Sequence, residues 1–234
     1  MRRTGFALAA AIGMLAAVVI FALIPRFGAE APAQRKTENG AAPASRLSQF
    51  GFPLLLSVGV IDSATRMAFL TFLPFVLTAK GASLPTVGGA LTLVFAGGAA
   101  GKLVCAFIGA RIGAVATVWL TEAVTALGIV GLLPLPLDAA LFLLPLVGVA
   151  LNGTSSVLYG SVPDLVEPAR RTRAFGIFYT GTIGAGAVSP ALYGLLGDAV
   201  GVTSALVVVA AMVLLTLPIT LMLRPALSVT VSSP

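Results

Sequence analysis

Apolar residues in this chain come in long runs separated by polar breaks, with no sustained alternation of apolar and polar positions. A bilayer core of ~30 Å takes about 20 helical residues to cross. Seven runs reach that length, at roughly 5–25, 50–78, 85–109, 113–134, 138–161, 174–197 and 202–223. An outer-membrane barrel would instead show short alternating segments. The pattern predicts an all-α fold, a polytopic transmembrane helical bundle of seven spans. Arg26 to Gln49 is rich in Ala, Pro, Ser and charged residues, and reads as a flexible linker. A second polar stretch, Ser161 to Arg173, carries Asp164, Glu167, Arg170, Arg171 and Arg173. The other connections are short, which makes successive helices antiparallel neighbours. The expected organisation is a helix in 1–25, a linker over 26–49, a six-helix bundle over 50–223 and a tail over 224–234.

Composition sharpens this picture. Of 234 residues, 58% are hydrophobic and 9% charged, and the mean hydropathy is +1.07. Soluble domains carry roughly 25% charged residues. So few charges cannot coat a globule, and the surface partner is the lipid bilayer. No histidine is present, which removes His-based triads and His-ligated zinc or haem. The lone Cys105 forms no internal disulfide. Neither a metal nor a cofactor is expected. Ser155 or Ser156 with Lys102 is the nearest approach to a nucleophile and base, and it does not outweigh a non-enzymatic reading. The net charge of +6 fits cytoplasmic loops better than nucleic acid.

Those basic residues also orient the chain. With the 26–49 linker in the cytoplasm, that side holds Arg26, Arg35, Lys36, Arg46, Arg111, Arg170, Arg171, Arg173 and Arg224. The other side holds Lys80, Arg2 and Arg3. Nine against three places the C-terminus in the cytoplasm of an inner or plasma membrane. Arg2 and Arg3 are the misfit. A signal peptide would account for them, but its apolar core is normally 7–15 residues. A tail of a longer chain, with earlier helices placing these arginines, fits better.

Two sequence features point to a family. At an offset of 88 residues, Gly98, Ala99, Gly109 and Gly113 recur as Gly186, Ala187, Gly197 and Gly201, pairing the third span with the sixth. The segment Pro163, Asp164, Arg170, Arg171, Arg173, Ala174-Phe175-Gly176, Tyr179, Gly184, Pro190, Gly194, Asp198, Gly201 resembles the loop and eleventh helix of major facilitator superfamily transporters. Gly109-Ala110-Arg111-Ile112-Gly113 is similar to that family's loop signature G-x-x-x-D-R-x-G-R-R. Arg111 and Gly113 match it, while Ala106, Ala110, Ala114 and Val115 replace the first Gly, the Asp and the basic pair. The resemblance implies the sixth to twelfth helices, half of that fold, with the amino-terminal five helices missing.

Charges inside spans are costly and by default face a cavity or a partner. Asp62 and Arg66 lie four apart on one helical face, with Asp62 ~16 Å deep, near the midplane. A carboxylate there is placed to take and release a proton as its pairing changes, unless the two form a static ion pair. Lys102 and Glu122 fall at similar depth on consecutive helices and are expected to pair within the membrane, unless the lysine snorkels towards the cytoplasm. Asn152, Ser155, Ser156 and Tyr159 stripe one helix, and Tyr179 and Thr180 the next. They would offer donors and acceptors to a polar solute, or bond between helices. Gly97, Gly98, Gly101, Gly181, Gly184 and Gly186 read as close-packing positions. Arg111, Arg170, Arg171 and Arg173 read as topological charges.

The resemblance implies a secondary active transporter of a small organic solute, proton-coupled and working by alternating access. Phe72-Leu73-Pro74 and an apolar cavity tilt it towards drug efflux. The alternative is a truncated, non-transporting fragment, or a half-transporter that needs a separate amino-terminal half. Helices 50–134 and 138–223 should form two three-helix units related by pseudo-symmetry. Spans 50–78 and 138–161 should meet at a polar seam with Asp62 level with Asn152, and 5–25 should lie apart.

Overall fold

Local sequence decides where each helix begins and ends. This computed structural model describes residues 46–228, with side chains over 50–224. The elements are α1 (Arg46–Ala79), α2 (Leu84–Ile112), α3 (Ala114–Leu132), α4 (Leu137–Ser161), α5 (Arg171–Val200), α6 (Val202–Leu214) and α7 (Thr216–Ser228). Two 3₁₀ turns, Val162–Asp164 and Pro168–Arg170, join α4 to α5. Ser83 caps α2, its Oγ accepting from the Thr86 amide at 3.4 Å, with Pro85 in the first turn. Pro218 has no amide to close a turn onto Leu214, and the last apolar run breaks there into α6 and α7. Together they make one span, so six helical stretches are long and apolar enough to cross a membrane. The seventh expected span, 5–25, lies outside the described residues, as does most of the linker. α1 starts at Arg46, inside the stretch read as linker, and α7 runs four residues beyond Arg224.

The two tight turns at the 88-residue offset have the same geometry. Gly113 has φ 84° and ψ 161°, and Gly201 has φ 86° and ψ 152°. A positive φ of this kind favours a residue without Cβ. Each glycine amide bonds four residues back, to Gly109 O at 3.0 Å and Gly197 O at 2.8 Å. Each carbonyl then accepts from the next helix, from Thr117 and Ala205.

Packing interleaves the helices of 50–134 with those of 138–223. α2 lies along α4 in the most extensive interface, α1 along α5, α3 against α4, and α6 and α7 against α1 and α3. Glycines let α2 and α4 approach backbone to backbone. A Cβ at Gly97 would meet the Pro145 carbonyl, one at Gly101 the Val149 carbonyl, and one at Gly148 the Val94 carbonyl. Gly153 admits the Sγ of Cys105. In lipid, where apolar burial gives no preference for helix over tail, such close approach supplies much of the association energy.

Buried side chains form three layers along the bundle. One apolar core joins Phe69, Leu73, Val94, Ile129, Leu144 and Val209. A second, towards the Gly113 end, joins Leu55, Val118, Leu158, Phe178 and Leu223. Between them lies a buried polar belt of Asp62, Ser63 and Thr65 on α1, Thr121, Glu122 and Thr125 on α3, Thr154 on α4, Thr182 on α5 and Thr216 on α7. At the far end from Gly113, Lys80 Nζ donates to Leu133 O at 2.7 Å and Leu135 O at 2.6 Å. A lysine there neutralises the negative end of α3 and ties the α1–α2 turn to the α3–α4 turn.

Two expectations follow. Gly101→Leu should lower the unfolding temperature in detergent, by overpacking of about 1–3 kcal/mol, whereas Gly184→Ala should be near neutral because open space surrounds it. Lys80→Met should speed amide hydrogen exchange at 133–137, and Lys80→Arg should restore part of the protection. Equal exchange in wild type and Lys80→Met would show that the cap is unimportant.

Candidate functional site

The polar belt is densest between α1 and α3. Positions 62, 65, 66 and 69 make one inward stripe of α1, and 118, 121, 122 and 125 one inward stripe of α3. Asp62 is 3% exposed and Glu122 1%. Glu122 sits near the middle of α3, ~12 Å from its start and ~15 Å from its end. Asp62 and Arg66 are the charges close enough to act on it. Two carboxylates and one guanidinium therefore share the middle of the bundle. Arg66 Nη2 donates to Ser63 Oγ at 3.3 Å, and no direct ion pair closes between Arg66 and Asp62. Beside them, Thr154 Oγ1 donates to Thr121 Oγ1 at 2.8 Å, linking α4 to α3 through the belt.

This arrangement corrects one expected pairing. Lys102 and Glu122 make no ion pair: Lys102 is exposed on the outer side of α2, while Glu122 is turned inward. Counting residues from a turn sets depth but says nothing of azimuth, and α2 and α3 present different faces to the bundle. The acid that the sequence assigned to Lys102 instead joins Asp62 and Arg66.

The seam expected between Asp62 and Asn152 also resolves differently. Asn152 lies on Gly98 of α2, and its Nδ2 donates to Gly148 O at 3.3 Å. Ser156 Oγ donates to Gly153 O at 2.7 Å and lies 3.3 Å from Lys102 O. Along this flank opens a pocket of about 480 Å³ lined by Phe95, Gly98, Ala99, Lys102, Leu103 and Asn152. Nearby, Tyr159 stacks edge-on against Phe178 at 5.0 Å and lies 6.4 Å from Tyr179 between ring centroids. The Tyr159 hydroxyl is 3.3 Å from Thr182 Oγ1. Tyr179 itself is 57% exposed.

The remaining predicted arginines sit at the Gly113 end. Arg111 lies over the Phe107 ring at 4.5 Å. Arg170 pairs with Glu167 at 3.9 Å in the open, and Arg171 Nη2 donates to Pro163 O at 3.1 Å. Arg173 is exposed. The same end holds an open pocket of about 700 Å³, whose lining includes Trp119, Asp164 and Arg224. Among the described residues no cluster of acids, histidine and cysteine is arranged to hold a metal.

Sequence reasoning missed Thr65, Thr121, Thr125 and Thr154. A usable signal was present for two of them: Thr125 follows Thr121 by four residues and Glu122 by three, the spacings that share a helical face.

No curated protein matches the chain. The sequence model of the Major Facilitator Superfamily matches residues 55–233, which covers five of the six described spans whole and the first from its sixth residue on. With those spans and that match, the chain is an integral membrane protein and belongs to the Major Facilitator Superfamily of membrane transporters.

Proposed function

We propose that this bundle is the charge-bearing part of a proton-coupled secondary transporter for a small organic solute, working by alternating access. The observation that supports it most is the buried Asp62 carboxylate in mid-span, within reach of Arg66 and Glu122. Ionisable groups at that depth mark ion or substrate pathways. A proton on Asp62 frees Arg66 for Glu122, and its release restores competition between the two acids. Protonation thereby changes how α1 holds α3. Asn152, Ser156, Tyr159 and Tyr179 would meet the solute on the exposed flank, with Lys102 at its rim. The apolar lining of that pocket, Phe95 and Leu103, suits amphipathic compounds and export.

The matched Gly113 and Gly201 turns, and the crossed pairing of α2 with α4 and α1 with α5, support two interlocked three-helix repeats. Arg111, Arg170, Arg171, Arg173 and Arg224 at one end, against Lys80 at the other, support a cytoplasmic C-terminus. A second reading is favoured by the exposure of Lys102 and Tyr179 within spans. Such groups are costly against lipid, and the bundle would then be active only when a second helical bundle covers that flank.

In proteoliposomes carrying internal pyranine, amphipathic solutes should trigger a proton flux that Asp62→Asn reduces to the level of protein-free vesicles. Undiminished pH-dependent flux in that variant removes Asp62 from the mechanism. A water-soluble maleimide should label Tyr179→Cys and Lys102→Cys but not Glu122→Cys. Failure to label the first two would place that flank against lipid and deny it a solute.

A further inference from the structure

Eight threonines are buried among the described residues: Thr65, Thr117, Thr121, Thr125, Thr154, Thr182, Thr216 and Thr220. Six of them give their hydroxyl proton to a neighbour: Thr117, Thr121, Thr182, Thr216 and Thr220 to a carbonyl three or four residues back on their own helix, and Thr154 to Thr121 Oγ1. The two that do not are Thr65 and Thr125, whose Oγ1 atoms have no partner at all. The remaining buried side-chain atom without a partner is Oε1 of Glu122. Thr125 follows Glu122 by three residues on the same face of α3, and Thr65 lies on the α1 stripe between Asp62 and Arg66, the two charges that act on Glu122. The three unanswered oxygens thus belong to the two stripes that carry the buried charges. A buried polar group without a partner costs about 1–3 kcal/mol, and the ordinary remedy for a helical threonine is available here but unused.

We propose that Glu122, Thr125 and Thr65 form a binding site for a small monovalent cation, Na⁺ by its chemistry, enclosed between α1 and α3. The ligands are a carboxylate and neutral hydroxyl oxygens, the hard donors that such cations take. Charge selects the valence. With both carboxylates ionised, Asp62 and Glu122 against Arg66 leave one negative charge uncompensated, which a monovalent ion cancels and a divalent ion would overshoot. Arg66 does not answer Glu122 Oε1, since its Nη2 is bonded to Ser63 and that oxygen has no donor. The site uses the charge cluster on which the transport reading rests, but binding requires no transport. It links α1 to α3 through the ion, where neither salt bridge nor hydrogen bond links them, and gives the polar belt a second coupling ion beside the proton.

The test is thermal unfolding of the purified full chain in detergent, with NaCl replacing choline chloride at constant ionic strength and KCl as the size control. Wild type should show a saturable rise in Tm with Na⁺, because a ligand bound only by the folded state stabilises it by mass action. Glu122→Gln should abolish the rise. Thr125→Val, nearly isosteric and checked for folding by size exclusion, should move its midpoint to about tenfold higher Na⁺ or more, the loss of one charge-assisted bond. Thr125→Ser should retain it. No Na⁺-specific rise in wild type, an equal rise in Glu122→Gln, or a response to pH alone overturns the site. The titration involves no flux, so a flat Na⁺ curve leaves the Asp62 experiment standing, and an active Asp62→Asn leaves the Na⁺ curve readable.

Discussion

No water reaches the middle of a bilayer to answer a polar group, so every charge and hydroxyl there must be answered from within the helices. The architecture of this chain is organised around that constraint. Among the described residues, most buried polar side chains gather at one level, between two apolar cores, and Thr121, Thr182 and Thr216 of that belt turn back onto their own helix. Serine and threonine can do this locally, at no cost to packing. Carboxylates and guanidinium groups cannot, and they have to be answered from another helix. Asp62, Arg66 and Glu122 therefore meet across α1 and α3, and the described residues offer them no direct ion pair.

Close backbone packing is what makes a charged belt tolerable. α2 and α4 touch through Gly97, Gly101, Gly148 and Gly153, with carbonyls standing where Cβ atoms would be. That interface is dense without needing large side chains, and it holds the exposed polar flank of Asn152, Ser156 and Lys102 on a rigid pair. The α1–α3 relation is of another kind. No hydrogen bond or ion pair among the described residues joins these two helices, and Thr65, Glu122 and Thr125 each have an oxygen without a partner. The bundle thus combines one close-packed helix pair with one contact that rests on charge.

Legibility from sequence followed how local each feature was. The glycine turns at 113 and 201 were readable because a positive φ is a property of one residue and its neighbours. Asp62 and Glu122 were readable as costly mid-span charges because depth follows from counting along a helix. Their association was not. Lys102 and Glu122 matched in depth, yet they project to opposite sides of the packing, and only the direction each helix turns towards the bundle distinguishes outside from inside. Thr65 and Thr125 were harder still. A threonine in a span normally bonds back to its own helix, and nothing in the letters marks the two that do not.

What the sequence alone determined is the one-dimensional layout: a helical membrane protein, the limits of six of its spans to within a few residues, its turns, its family resemblance and the depth of its charges. Run length, glycine and proline chemistry and the cost of charge in lipid set these through near neighbours. What only the tertiary structure decided is which faces meet: α2 on α4 and α1 on α5, Glu122 with Asp62 and Arg66, Asn152 on Gly98, and Lys102 outside. The reason is that an azimuthal error of one residue is 100° on a helix. Rotation about each axis is set by the packing of all the helices at once, not by any stretch of chain.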